Sequence, residues 1–417
     1  MVLDLTNPSD KELNRLGFGL KTYKDNYLFT AKIGGLCRWS DLYTLLYFST
    51  MGLSFVLSTI FIVINSFLGE KEVVLELVHF MFLIVNTIAQ VAVYNVNQEY
   101  YLQLYRAFDK GGFDYGDAVD DETFKDIAEI KKGARDRKSA FGHNFSIMLK
   151  VIILVHTLKK PASRLLLGSK HPVDGEDNLI WEAPLGLYMP FANYWTPYIV
   201  GVLISTICGV LVAITALATT ATYQFICEEI LAEYAVVKLT FERCIVRAEH
   251  LYRAEGRNSD FNACLRHCVN LSVKHHQEAL RLFSIFKKMM HMPLFMAISD
   301  GGILLCMSCY LTICDDISMQ LRLSMPTLVL SECLLMLIYC DYGEKLSDAN
   351  ASVGDGLYNA EKLPENLILL KPYLVTVKRF TDVPKRLSAG GFSAVNRETF
   401  AGVIRAAYSY IGFMLST

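Results

Sequence analysis

The feature that most limits this chain is a series of apolar runs, each about as long as a membrane is thick. A hydrocarbon core of about 30 Å takes roughly 20 residues of helix to cross, and helix is required there because no water is present to satisfy the backbone. Tyr43 to Phe67 and Val73 to Val96 are runs of this kind, joined by the short turn LGEKE. Thr196 to Phe225 is another, with Pro197 in its first turn, where proline fits a helix. Met289 to Ile313 and Met319 to Tyr339 flank the turn CDDIS. Phe145 to Leu167 is apolar but interrupted by Lys150, His156, Lys159 and Lys160. Asn366 to Phe380 has a helical pattern and is charged at its end, and Asn396 to Thr417 closes the chain. With Asn366 to Phe380 left in the cytosol, the expected fold class is all-α: a polytopic membrane protein with seven transmembrane helices.

Composition agrees, with 53% hydrophobic and only 20% charged residues over 417 positions. A net charge of −2 implies no bulk attraction to nucleic acid. The opening MVLDLTNPSDKELNRLGFGL carries charges where a cleaved leader needs an apolar centre, so internal segments are expected to drive insertion. Lysine and arginine set the orientation: eight lie in 97–140, ten in 226–288 and six in the first 42 residues, while the alternate connections hold Lys71, Lys170 and Arg322. The amino terminus is therefore expected inside and Thr417 outside, against a mild opposing contribution from Lys159, Lys160 and Arg164. That orientation is opposite to a G-protein-coupled receptor, and the NPxxY and DRY signatures are absent. The sequons at Asn144, Asn270 and Asn350 all fall on the expected inner side.

No HExxH, GxSxG, Walker or GxGxxG arrangement occurs, so no enzyme chemistry is indicated and no cofactor is expected. The pairs Cys264/Cys268 and Cys306/Cys309 lack a matching second pair and sit on helical patterns, which argues for packing rather than zinc or disulfides. His79, Asn86, Gln90, Lys150, His156, Asp300 and Glu332 lie inside expected spans, where polar groups pair or face a cavity. Asp300, in ISDGG, and Lys150 are candidates to neutralise one another or to meet backbone groups at a helix break.

The inner stretch 226–288 continues the flanking spans with helical periodicity, through Leu231, Tyr234, Val237, Phe241, Ile245 and Leu251. It reads either as solvated helix extensions or as a platform where copies assemble. In the closing segment Thr399, Gly402, Ala406, Ser409, Phe413 and Ser416 recur three or four apart and so share one seam, with Arg405 beside it. Phe400, Val403, Ile404, Tyr408, Ile411 and Leu415 fall opposite, and Asn396 is placed to cap the helix. Its 22 residues reach about 33 Å, enough to cross. A seam of small residues serves close helix packing, or lines water when copies surround an axis. The hydroxyls and a bulky Phe413 near the outer end favour the second use.

The run LIYCDYGEKLSDANASVGDGLYNAEKLPENL, followed by SAGGFSAVNRETFAGVIRAAYSYIGFMLST, resembles the insect odorant receptor family over roughly the last 85 residues. The shared positions are Tyr339, Cys340, Gly343, Leu346, Leu357, Tyr358, Asn359, Ser409 and Tyr410. The resemblance implies a tetrameric, ligand-gated, non-selective cation channel in the plasma membrane of olfactory sensory neurons. Its central pore is lined by the last helix, and an intracellular anchor is made by the inner helix extensions and the penultimate helix. The second inner connection lacks the long insertion of the shared co-receptor, so a ligand-tuned subunit in a heterotetramer with that co-receptor is implied. The family's hydrophobic gate falls on Phe413. Its frequent glutamine ring falls on Ser416, a shorter side chain, and Glu361, Lys362 and Leu363 replace a usual aromatic pair. Thr399, Gly402, Arg405, Ala406 and Ser409 would line the pore below.

The expected division is 1–225 for the amino-terminal segment and first four spans, 226–288 for the inner extensions and 289–343 for spans five and six. Residues 344–387 would form the anchor and 388–417 the pore helix. The resemblance also implies a pocket for a small hydrophobic odorant in the outer half of the bundle. Geometry alone offers Phe80, Leu83, Thr87, His156, Thr157, Lys160, Tyr198, Val202, Thr206, Tyr310, Ser324, Thr327 and Leu328 for it. Such a site holds its ligand mainly by apolar burial, at about 25 cal/mol per Å². A metabotropic receptor working through its basic inner loops is the alternative; a transporter is disfavoured by the lack of two similar halves.

Overall fold

The computed structural model describes residues 41–68, 71–109, 113–167, 189, 194–255, 260–313, 319–360, 363–383 and 385–416. These form ten helices and one small hairpin, as the apolar runs require. The helices are α1 (Asp41–Leu68), α2 (Lys71–Val96), α3 (Gln98–Asp109), α4 (Asp121–Leu167), α5 (Trp195–Glu242), α6 (Cys244–Glu255), α7 (Phe261–Ile313), α8 (Met319–Tyr358), α9 (Leu363–Asp382) and α10 (Arg397–Ser416). Strands β1 (Ser388–Ala389) and β2 (Ser393–Ala394) precede the last helix.

Among the described residues five helices, α1, α2, α5, α7 and α8, are long and apolar enough to cross a membrane. The other two expected crossings fall on the second half of α4, which holds Lys150, Lys159 and Lys160, and on α10, which holds Arg405; the side chains of both lie partly outside the described residues.

Four helices far exceed the membrane. At 1.5 Å per residue, α4 with 47 residues, α5 with 48, α7 with 53 and α8 with 40 reach about 70, 72, 80 and 60 Å. Each therefore leaves the bilayer without a break, since no turn interrupts the pattern at the expected interface. The expected boundary at 343/344 accordingly falls inside α8, which runs on to Tyr358. The extensions of α5, α7 and α8 share one apolar core. Tyr223, Ile226, Ile230, Tyr234, Val237 and Phe241 of α5 join Cys268, Ala279, Phe283 and Phe286 of α7 and Cys340, Leu346, Val353 and Leu357 of α8 in one cluster. The amphipathic stretch 226–288 thus buries its apolar stripe within its own chain. At Gly356 the helices meet so closely that an added Cβ would sit 2.7 Å from the Lys238 carbonyl oxygen.

Polar contacts brace this inner part. Asp120 caps α4: its carboxylate accepts the Thr123 and Glu122 N–H groups at 2.9 and 3.1 Å and the Thr123 hydroxyl at 2.6 Å. Burial raises its pKa, but these hydrogen bonds outweigh that and hold it below the usual carboxylate value. Farther along α4, Arg137 pairs with Glu228 at 2.8 Å and Lys138 pairs with Glu229. Asn350, one of the sequons, is fully buried and meets His276 at 3.3 Å.

The hairpin was not expected from the pattern, because two-residue strands carry no periodicity. It turns through Gly390 and Gly391, whose φ values of 59° and 77° suit glycine. The Gly390 N–H donates to the His291 carbonyl at 3.0 Å, which fastens the hairpin to α7. Asn396 then caps α10 by accepting the Thr399 N–H at 2.9 Å, and Arg397 binds Asp341 of α8 at 2.6 Å. Gly390→Ala meets both the positive φ and the Phe295 ring, 2.8 Å from an added Cβ. It should destabilise the docked last helix by about 1–3 kcal/mol, read as a lower melting temperature of the purified protein.

Candidate functional site

Inside the membrane part, α2, α4, α5, α7 and α8 surround a cavity of about 190 Å³. Its space comes from small side chains: Gly209, Ala213, Ala216 and Thr220 recur four, three and four residues apart on α5, and Gly301 of α7 faces Met336 and Glu332 of α8. A stripe of small residues against larger neighbours leaves a groove when the opposing helices do not close in. That stripe is visible in ICGVLVAITALATTAT and is the signal that would have located the cavity.

Of the residues offered from sequence, Phe80, Leu83, Thr87, Thr206 and Leu328 line this cavity. Tyr198 and Val202 lie elsewhere, in a small cluster with Met189 at the start of α5. Tyr310 and Thr327 are likewise not on the wall, and the side chains of His156, Thr157, Lys160 and Ser324 lie outside the described residues. The cavity is set deeper along the helices than expected, running on α5 from Thr206 to Thr220. At the end where α7 stops and α8 begins, Leu311, Met325, Leu328 and Leu75 pack together and fill the space.

The wall is mostly apolar, and its polar groups are largely turned inward on the protein. Thr87, Thr206, Thr219 and Ser331 donate to carbonyls of their own helices at 2.7–3.1 Å. Thr215 bonds Tyr47 of α1 at 2.6 Å, Thr220 bonds Tyr339 at 3.2 Å, and the Gln90 amide donates to Asn86 at 2.8 Å. Tyr339 forms one end of the cavity, its carbonyl accepting the Tyr223 hydroxyl at 2.8 Å. Asp300 does not pair with Lys150: α7 runs unbroken through it, and it lies close enough to Glu332 to interact with it.

The last helix packs directly behind the cavity. Met336, on the wall, forms a cluster with Leu305 of α7 and Ala407 of α10, joined by Phe400, Val403 and Ile404. The opposite arc of α10 is open: Arg405, Ala406, Ser409 and Gly412 are exposed, and Phe413 is 63% exposed. Thr399 and Gly402 are half-buried, and the Ser416 side chain lies outside the described residues. Of the face expected to meet lipid or neighbouring helices, Phe400, Val403 and Ile404 pack inward, while Tyr408 is 79% exposed.

No group of three or more histidine, cysteine or acidic side chains is placed to hold a metal among the described residues. The nine described cysteines are free thiols.

Comparison with known proteins now bears on this arrangement. A family model described as 7tm Odorant receptor matches residues 117–408. The fold is similar to the insect olfactory receptor OR5 from Machilis hrabei in complex with eugenol, at 10% identity and a TM-score of 0.75, over 95% of this chain and 98% of that one. A second structure of that receptor aligns with a TM-score of 0.66 at 10% identity, over 90% and 89%. No curated protein sequence matches significantly. Ala216→Phe would fill the cavity; it should abolish binding of a small apolar probe while changing stability by no more than about 1–3 kcal/mol, both measured by thermal shift.

Proposed function

The chain belongs to the insect odorant receptor family, and from that premise we propose that it is a ligand-tuned subunit of a ligand-gated, non-selective cation channel. A small hydrophobic volatile held in the central cavity opens it, and it works in a heterotetramer with the odorant receptor co-receptor in the plasma membrane of olfactory sensory neurons. The observation that carries this reading is a shared wall: Met336 lines the cavity on one side and packs against Ala407 of the last helix on the other. A molecule that fits the cavity better when that wall shifts favours the state in which α10 has moved with it. The eugenol bound by the similar receptor supports a ligand of modest size with a small polar group.

Four copies around an axis would turn the open arc of α10 inward. Thr399, Gly402, Arg405, Ala406 and Ser409 then line the conduit, and Phe413 with Ser416 closes its outer mouth. A ring of phenylalanines narrows the path and excludes water, which blocks ions without a charge barrier. Residues 226–288 and 344–387 are proposed to anchor the subunits below the membrane. The metabotropic reading loses support because Arg137, Lys138 and Arg243 are engaged by Glu228, Glu229 and Asp126 of the same chain.

Voltage clamp of cells expressing this chain with the co-receptor tests the proposal. An odorant panel should evoke a cation current that is absent without the partner. Phe413→Ala should raise ligand-free current several-fold and Phe413→Leu less; gating unchanged in both variants would remove Phe413 as the gate.

A further inference from the structure

We propose that the cavity selects a volatile base, an amine or nitrogen heterocycle, through Glu332. This inference rests on the cavity being a ligand site, as argued above, and names the ligand's chemical class. Among the described wall residues Glu332 is the one carboxylic acid, and none of them is a lysine, arginine or histidine. The hydroxyls around it are already engaged with the protein, as Ser331 is with the Leu328 carbonyl and Tyr339 is with Thr220. No described side chain hydrogen-bonds or ion-pairs with Glu332. Its near neighbours across α7 are Gly301, which leaves the carboxyl open, and Asp300, a second acid.

An uncompensated acid in a low-dielectric cavity is costly, and such groups inside membrane bundles mark a partner yet to arrive. The partner that fits is a base. A carboxyl and an amine share one proton between oxygen and nitrogen, so the pair is neutral overall whichever atom holds it. The contact is then a charge-assisted hydrogen bond, about twice as strong as the neutral kind. Asp300 adds negative potential, which favours the protonated nitrogen and disfavours a carboxylate ligand. Ala213, Ala216 and Leu335 bound the apolar remainder, which suits a short alkyl or aryl body.

The test uses the full chain in lipid nanodiscs, with hexylamine, hexanol and hexane as probes and binding read by thermal shift. The cavity-filled Ala216→Phe variant subtracts partition into lipid. Hexylamine should bind the wild type about tenfold or more tightly than hexanol, as a hydrogen bond to a charged group gives. Glu332→Gln should level the two by weakening hexylamine alone, and Glu332→Asp, which keeps the acid, should retain a reduced preference. Hexanol binding as tightly as hexylamine in the wild type, a preference surviving in Glu332→Gln, or no binding of any probe overturns the assignment. Voltage clamp with the co-receptor separates this from the channel reading: hexylamine bound through Glu332 without current removes the channel and leaves the Glu332 assignment standing.

Discussion

The Tyr223 hydroxyl, donated at 2.8 Å to the Tyr339 carbonyl, marks the point on which the rest of the bundle depends. Here α5, α7 and α8 meet, with the Tyr223 ring 4.9 Å from that of Tyr339 on α8 and 5.6 Å from Phe286 on α7. On one side of this junction lies the cavity, whose end Tyr339 forms; on the other lies the dense inner core. An aromatic cluster with a satisfied hydroxyl tolerates little displacement, because its packing and its hydrogen bond fail together. The junction therefore ties the membrane part of the bundle to the inner core.

The inner core is held by buried polar groups as well as by apolar burial. Tyr115 bonds His275 at 2.6 Å, and the other ring nitrogen of His275 meets Glu233 at 2.6 Å. Arg247, fully buried, donates to the Ala118 and Thr240 carbonyls and to the Ser272 hydroxyl, and lies over the Tyr115 ring. Such a network is stable in one arrangement of α5, α6 and α7 and costly in any other, since each misplaced partner leaves a buried group unpaired. It explains why helices that leave the membrane stay in register beyond it, where lipid no longer confines them.

Cavity and last helix are neighbours through a thin wall. Gly302 of α7 lies against Val403, an added Cβ falling 3.4 Å from it, while Met336 reaches Ala407. A change in what fills the cavity is thus felt one side chain away, without a long relay. The hairpin and the Arg397–Asp341 pair hold the near end of α10 to α7 and α8, while Phe413 near its far end is largely exposed.

Periodicity and run length in the sequence determined the helices, the membrane class and the open seam of the last helix, because each follows from residues three, four or twenty apart. The motif around Tyr339, Gly343 and Ser409 likewise lay in the order of residues and identified the family. Sequence spacing could not place the cavity, whose depth depends on where Gly209, Ala213 and Ala216 fail to fill the space beside α2 and α8. Nor could it show that Glu332 is left open while Thr220 and Thr215 are engaged, or that Asp300 and Lys150 form no ion pair. Those outcomes were decided by the tertiary structure, since they turn on which side chains from distant segments meet, and a hydrogen bond or a void exists only once both of its sides are in place.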